Sequence, residues 1–278
     1  MASGILTDPA LVLELRSIQA DVFLAALVLV PVFEWLAPGD QRPGLGQFLR
    51  HTGRNLGLWT LGIVISSALL SGLLVMLMYA LEVNKIGVLY FLGDTTVLSA
   101  ILGFLVLDFG DYLFHRVSHQ VRWLWILHAV HHSDPAVDFS TSLRTHPLHL
   151  LLTFGWKLVM VAAFGIPIWL LMVRELVAIP VNVFHHGGFR FPAALDHALR
   201  WLIVTPGMHR LHHSPRKEET DSNYATLLSV WDRLFATYRE KGISESPQFG
   251  LFALSDDRWL TVWGMLITPW RVRNIPQL

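Results

Sequence analysis

Leu56 to Leu81 carries no charged residue. It is long enough to cross the roughly 30 Å of hydrocarbon in a bilayer, so it reads as a membrane helix. Three other tracts follow the pattern less fully. Val22 to Leu36 is apolar except for Pro31 and Glu34 and is short for a full span, so it reads as a first membrane helix or a re-entrant one. Arg42, Arg50 and Arg54 then fall in a Gly/Pro-containing loop. Ile86 to Leu107, apolar apart from Asp94 and a few hydroxyls, returns across the membrane after a turn at Glu82 to Lys85. Leu148 to Phe184 is broken by Gly165-Ile166-Pro167 and reads as a helical hairpin. Its arms barely span, and they contain Lys157, Arg174 and Glu175.

Composition agrees with this pattern. Hydrophobic residues make up 53% of the 278-residue chain and charged residues 15%, against the usual quarter for soluble proteins. The expected fold is all-α: a multipass membrane bundle of about four spanning helices with a histidine-rich helical cap. Residues 1–278 form one integral membrane domain. A formal net charge of zero gives no reason to expect a nucleic-acid partner. The absence of cysteine excludes disulfides, thiolate nucleophiles, iron–sulfur clusters and thiolate-bound haem. The N-terminal residues lack the basic region of a cleaved signal peptide.

The arginines give an orientation. Arg42, Arg50, Arg54, Arg116, Arg122, Arg144, Arg190, Arg200 and Arg210 fall on the side that carries the histidines, whereas the turns near Lys85 and Pro167 are almost free of basic residues. The positive-inside rule then puts the histidines in the cytoplasm. The stretch from Pro215 to Glu245 reads as a polar cytoplasmic tail. Leu260 to Trp270 reads as an interfacial segment with Trp259, Trp263 and Trp270 at headgroup depth.

Thirteen of the fourteen histidines lie between His115 and His213. His115 and His119 are one helical turn apart. His128, His131 and His132 sit at i, i+3 and i+4, and His209, His212 and His213 repeat that spacing, so each set lines one helix face. Burying eight imidazoles without partners costs several kcal/mol. A mononuclear site cannot use eight, so the pattern reads as a two-metal site with nitrogen ligands. His185 and His186 are about 100° apart on a helix, so one of them can face such a site. His146 precedes Pro147 and could be a ligand or a supporting residue. His149 and His197 read as structural or interfacial, and His51 as solvated in a polar loop. Asp111, one turn before His115, could accept the second ring N–H of a ligand. Asp232 could do the same or cap the following turn. Asn223 and Tyr224 could close the cap over the site or form a local turn. Arg144 and Arg210 could neutralise the carboxylates or meet lipid headgroups.

Several chemistries fit poorly. Neither HAVHH nor HRLHH has the glutamate of a zinc protease HExxH. Bis-histidine haem needs isolated histidines on facing helices. A metal transporter places its ligands at the bilayer midplane, whereas these lie past the helix ends. Metal-assisted O2 chemistry remains, since imidazole suits iron. A site beneath apolar helices suits a lipid substrate. A zinc-loaded structural module or sensor is the competing class.

The motifs DFGDY leading into HRVSH, then LWILHAVHHSD, SLRTHP, FHHGG, TPGMHRLHH, and Ser222-Asn223-Tyr224 with WDRLFATY resemble the fatty acid hydroxylase/sterol desaturase superfamily of membrane di-iron oxygenases. The resemblance covers residues 105–238, which it marks as the catalytic region. It implies two iron ions, with zinc as a substitute, and O2 as co-substrate. It implies hydroxylation or desaturation of a sterol-like or fatty-acyl lipid, with electrons from an external reductase or carrier. The implied ligands are His115, His119, His128, His131, His132, His186, His209, His212 and His213. His146, His185, Asp111, Asp232 and Asn223 are further candidates, as ligands or as supporting residues. Where many relatives read HPLE, this chain has His146-Pro147-Leu148-His149, so a supporting carboxylate is missing or replaced.

Overall fold

The computed structural model describes residues 9–39, 43–91, 97–189, 191–240, 249–254 and 256–274. Arg42, Asp94, Arg190 and the stretch from 241 through Glu245 lie outside them. The described residues form helices α1 (Pro9–Leu36), α2 (Leu45–Asn84), α3 (Val88–Phe91), α4 (Val97–Gln120) and α5 (Arg122–His132). A 3-10 turn at Phe139–Leu143 follows, then α6 (Pro147–Phe164) and α7 (Ile168–His186). The short helices α8 (Ala193–Leu199), α9 (Pro206–His212), α10 (Lys217–Thr220) and α11 (Val230–Leu234) precede α12 (Val262–Val272). No strand occurs among the described residues; two isolated bridges join Pro38 to Phe189 and Ile203 to Leu228.

Five helices, rather than about four, are long and apolar enough to cross a membrane: Ala10–Leu36, Leu45–Leu81, Val97–Gln120, Pro147–Phe164 and Ile168–His186. The first is longer than its apolar tract, because the amphipathic residues before Val22 continue the same helix. Arg50 and Arg54, expected in a loop, lie inside α2. The returning helix does not stop at Leu107. It continues as α4 through His115 and His119, so the first histidine pair is rigidly tied to a membrane helix.

The bundle is pinned at the end away from the histidines. α2 stops at Lys85 and α6 at Gly165, both in the left-handed region, with φ of 51° and 67°. Gly87, at φ 119°, packs on Gly165 so closely that a Cβ would lie 2.2 Å from the Gly165 nitrogen. The turns near Lys85 and Pro167 therefore meet, as the two-sided reading of the sequence requires. Leu81, Leu89, Leu107, Val161, Ile166 and Leu170 form the core beside them.

Halfway along, α4, α6 and α7 share a buried ionic cluster that accounts for the charges in the hairpin arms. Arg174 donates to Asp108 (2.9 Å), Asp111 and Glu175 (2.9 Å), and Lys157 reaches Glu175 at 2.8 Å. Arg174 is almost fully buried. The second oxygen of Asp108 accepts from Trp231 Nε1 (2.7 Å) and Leu228 N (3.2 Å), which ties the bundle to the segment over the histidines.

That segment is not a solvated tail. Glu219, Thr220, Ser222, Asn223, Tyr224, Leu227 and Asp232 are all buried. It folds back because the Asp232 carboxylate accepts from Tyr224 N, Ala225 N and Thr237 Oγ1 at 2.7–3.0 Å. α12 packs on α5 and α2, starts at a Thr261 cap, and exposes Trp263 and Trp270 but not Trp259.

Removing Arg174 leaves Asp108 without its buried cation. Arg174→Met is expected to lower stability by about 3–5 kcal/mol, read from denaturant or thermal unfolding in detergent. Asp108→Asn added to Arg174→Met should recover part of that loss.

Candidate metal centre

The ends of α4, α5, α7 and α9 converge. His115 and His119 come from α4, one turn apart. His128, His131 and His132 come from α5, and His186 from the last turn of α7. His209 and His212 lie on α9, with His213 capping it. Each is buried.

These nine rings form two groups. In one, ligand atoms of His115, His119, His128, His132 and His212 all lie within 4.8 Å of one another; in the other, those of His131, His186, His209 and His213 do. Each HxxHH motif is split between them. The i and i+4 rings stay together, and the i+3 ring, on the other side of the i position, turns to the neighbouring group. Each HxxHH set on one helix face thus contributes to both groups. The groups adjoin, with the His132 and His213 rings 4.7 Å apart.

The hydrogen bonds fix the tautomers. His115 Nδ1–H donates to Tyr224 O (2.7 Å), His186 Nδ1–H to Asn182 O (2.7 Å), His212 Nδ1–H to Ser222 O (2.7 Å) and His131 Nδ1–H to Arg144 O (3.3 Å). A carbonyl only accepts, so each of these rings keeps its lone pair on Nε2. Those Nε2 atoms point inward. His186 Nε2 stands 3.2 Å from His131 Nε2 and 2.8 Å from His209 Nε2, and His213 Nε2 is 3.1 Å from His209 Nε2. In the other group His128 Nε2 is 3.1 Å from His115 Nε2 and 3.2 Å from His132 Nε2. His131 and His186 therefore direct two lone pairs at each other, which is repulsive without a cation between them. Separations near 3 Å are those of nitrogens sharing an ion at metal–nitrogen distances of about 2.0–2.1 Å. The residues fit a pair of metal ions.

Burial pushes His128, His131, His132, His209, His212 and His213 well below the ordinary imidazole pKa, and neighbouring rings add to the effect. Neutral imidazole is the metal-ligating form.

The other expected residues sit elsewhere. Asp111 pairs with Arg174 and Lys157 and touches no ligand ring; backbone carbonyls orient the rings in its place. Asp232 acts at one remove, holding the turn whose Tyr224 carbonyl receives His115. Asn223, at φ 54°, donates to Met208 O and Arg239 O and accepts from Arg239 N, so it closes a local turn. His146 caps α6, accepting from Leu148 N and donating to Leu266 O, outside both groups. His185 is buried against His209, ring centroids 4.1 Å apart, but belongs to neither group. His149 bonds Ser118 Oγ at 3.2 Å and packs on His128, and His197 is exposed near Glu240, so both are structural or superficial as expected.

His51 is the clearest departure. It is half-buried between two carboxylates, with Nε2 2.8 Å from Asp134 and Nδ1 3.0 Å from Asp138. Burial alone would raise the Asp134 carboxyl, but His51 and Arg144 hold it well below the usual carboxylate range. Arg144 is fully buried and donates to Asn55 Oδ1, Val130 O and Ser133 Oγ. Glu34 accepts from Phe139 N and Gly188 N, both at 2.7 Å. Nothing local in sequence marks these contacts of His51, Asn55 and Glu34, because their partners are more than eighty residues away.

Residues 100–237 match the fatty acid hydroxylase family. Among curated proteins the chain is similar to the alkylglycerol monooxygenase of Xenopus tropicalis, with 36% identity over 49% of this chain and 30% of the relative. It is 26% identical to an ornithine lipid hydroxylase of Rhizobium tropici over 55% of this chain and 45% of the relative. It is 28% identical to cholesterol 25-hydroxylase-like protein 1, member 2 of Danio rerio over 49% of each chain. The chain thus matches only about a third of the length of the first alkylglycerol monooxygenases. No solved structure matches the chain.

The buried rings set a pH dependence. An unfolded histidine protonates near its ordinary value of 6.5, whereas the folded rings resist protonation, so the unfolded state binds more protons below that pH. Stability of the metal-free protein is expected to be level above about pH 7 and to fall as pH drops through 6.5, by about 1.4 kcal/mol per pH unit for each such ring. Thermal unfolding across pH 5–8 checks this; a flat profile contradicts it.

Proposed function

Because residues 100–237 belong to the fatty acid hydroxylase family, we propose that this chain is a membrane di-iron oxygenase that inserts one oxygen atom of O2 into a C–H bond of a membrane lipid. The facing Nε2 lone pairs of His131 and His186, 3.2 Å apart with both Nδ1–H groups committed to carbonyls, carry the reading. His115, His119, His128, His132 and His212 would hold one iron, and His131, His186, His209 and His213 the other. Iron bound there supplies O2 activation. Hydroxylation converts R–H, O2, two electrons and two protons into R–OH and water, so the electrons come from an external reductase or carrier. The alkylglycerol, ornithine-lipid and cholesterol-type relatives all act on lipids, by their names, and an alkyl-ether glycerolipid is the first substrate to test. Desaturation is the less favoured outcome, since these relatives are named as hydroxylases and monooxygenases.

The chain's own residues supply position and exclusion. Carbonyls of Tyr224, Ser222, Asn182 and Arg144 fix the rings, an arrangement that typically matters as much to a metal site as the ligands. The buried segment around Tyr224 covers the first group and keeps bulk water off it, with the Tyr224 ring 5.1 Å from that of His119. A cleft lined by apolar Pro31, Trp35 and Phe48 and by charged Glu34, Asp138 and Arg210 lies beside the segment that follows His186. The arginine distribution supports a cytoplasmic position for this face.

The all-imidazole ligand set also suits zinc, and a zinc-loaded structural module is the second reading. Metal analysis together with O2 consumption separates the two. Cells expressing the chain under isotopically heavy O2 should yield a lipid carrying one heavy oxygen atom. His131→Ala should abolish that product while leaving a helical, membrane-inserted protein. Label in the lipid from the variant, or from water instead of O2, contradicts the proposal.

A further inference from the structure

The two histidine groups are braced from different parts of the chain. The first leans on the cap: His115 on Tyr224 O, His212 on Ser222 O, and His132 Nδ1 within 3.4 Å of Thr220 Oγ1. The second leans on Arg144 O and Asn182 O, and the segments around it are gripped by α1 and α2. One Glu34 oxygen takes both the Phe139 and the Gly188 N–H. Phe139 opens the turn that leads to Arg144, whose carbonyl receives His131; Gly188 lies two residues past His186. Just past α1, Gly39 N–H donates to Gly188 O at 2.9 Å, so closely that a Cβ on Gly39 would lie 2.4 Å from that oxygen.

α2 adds a second grip. The His51 ring bridges Asp134 and Asp138. Asn55, one turn on, donates to Ser140 Oγ (2.9 Å) and accepts from the Arg144 guanidinium (3.1 Å). Arg144 in turn holds the Val130 carbonyl and Ser133 at the end of the α5 histidine run. None of Glu34, Gly39, His51 and Asn55 lies within the residues that match the family.

We infer that Glu34 and His51, from the helix pair outside the matched region, are positioning residues for the second metal position, formed by His131, His186, His209 and His213, and not for the first. This rests on the two-metal reading above. Glu34 works as a carboxylate oxygen shared by two backbone donors, one in the turn that leads to Arg144 and one just past His186. His51 works as a ring whose two nitrogens join two carboxylates that lead into the 3-10 turn. Removing either lets the carbonyl of Arg144 and the end of α7 drift, and with them His131 and His186.

The test is a Co2+ titration of the metal-free full chain in detergent, read by equilibrium dialysis and by the visible ligand-field spectrum. Wild type is expected to bind two equivalents. Glu34→Ala should weaken one equivalent by about tenfold or more, in the range set by loss of a supporting contact, with the other unchanged and the spectrum reduced to one component. Glu34→Gln keeps an oxygen acceptor at the same reach and should restore both. Equal loss of both equivalents, or loss of neither, in folded Glu34→Ala overturns the inference. If Glu34→Ala does not accumulate as a folded protein, His51→Gln decides: selective loss of one equivalent supports the inference, and unchanged binding overturns it. A wild type that takes up no metal is a different failure, since it removes the two-metal reading itself.

Discussion

Two imidazoles with Nδ1–H committed to carbonyls present bare lone pairs at Nε2, and such pairs brought within about 3 Å repel unless positive charge lies between them. This chain brings four rings, His115, His131, His186 and His212, to that condition and gathers five more beside them, in a place where burial also disfavours protons. The fold makes sense as the frame that imposes the arrangement. Long helices deliver the rings, carbonyls fix their tautomers, and a folded-back segment closes over them. Metal ions are the proposed resolution, and they would turn the repulsion into the site's binding energy.

Holding such a site demands stiffness that apolar packing between membrane helices does not give by itself, because lipid tails are as apolar as the helix faces. The chain adds one close backbone contact and two levels of polar ties. At the far end, Gly87 and Gly165 meet backbone to backbone. In the middle, Arg174 joins α7 to α4 through Asp108 and Asp111. At the site, Asp232, Glu34 and His51 fasten loops that carry no apolar face of their own. Asp108 serves two of these levels, because its second oxygen holds Trp231 and Leu228 of the covering segment.

The helices and the gathering of the histidines were legible because both are written in local periodicity: uncharged runs of spanning length, and imidazoles at i, i+3 and i+4. What was not legible depends on distance or on backbone. Asp111 has the right spacing to support His115, yet Arg174, sixty-three residues on, takes it. The atoms that orient the rings are carbonyls, which no side-chain pattern announces. His51 looked like a solvated loop residue because nothing nearby marks it; only folding brings Asp134 and Asp138 to its two nitrogens. The stretch after Pro215 reads as a tail because it is polar, although Glu219, Thr220, Ser222, Asn223, Ser229 and Asp232 within it are buried and hydrogen-bonded inside the protein.

The division of each HxxHH motif between the two groups has a mechanical consequence. His131 and His132 are neighbours on one backbone, as are His212 and His213, yet the members of each pair face different foci. Consecutive Cα atoms are fixed about 3.8 Å apart by a trans peptide. Two covalent rulers therefore span the gap between the foci and limit how far apart they can stand.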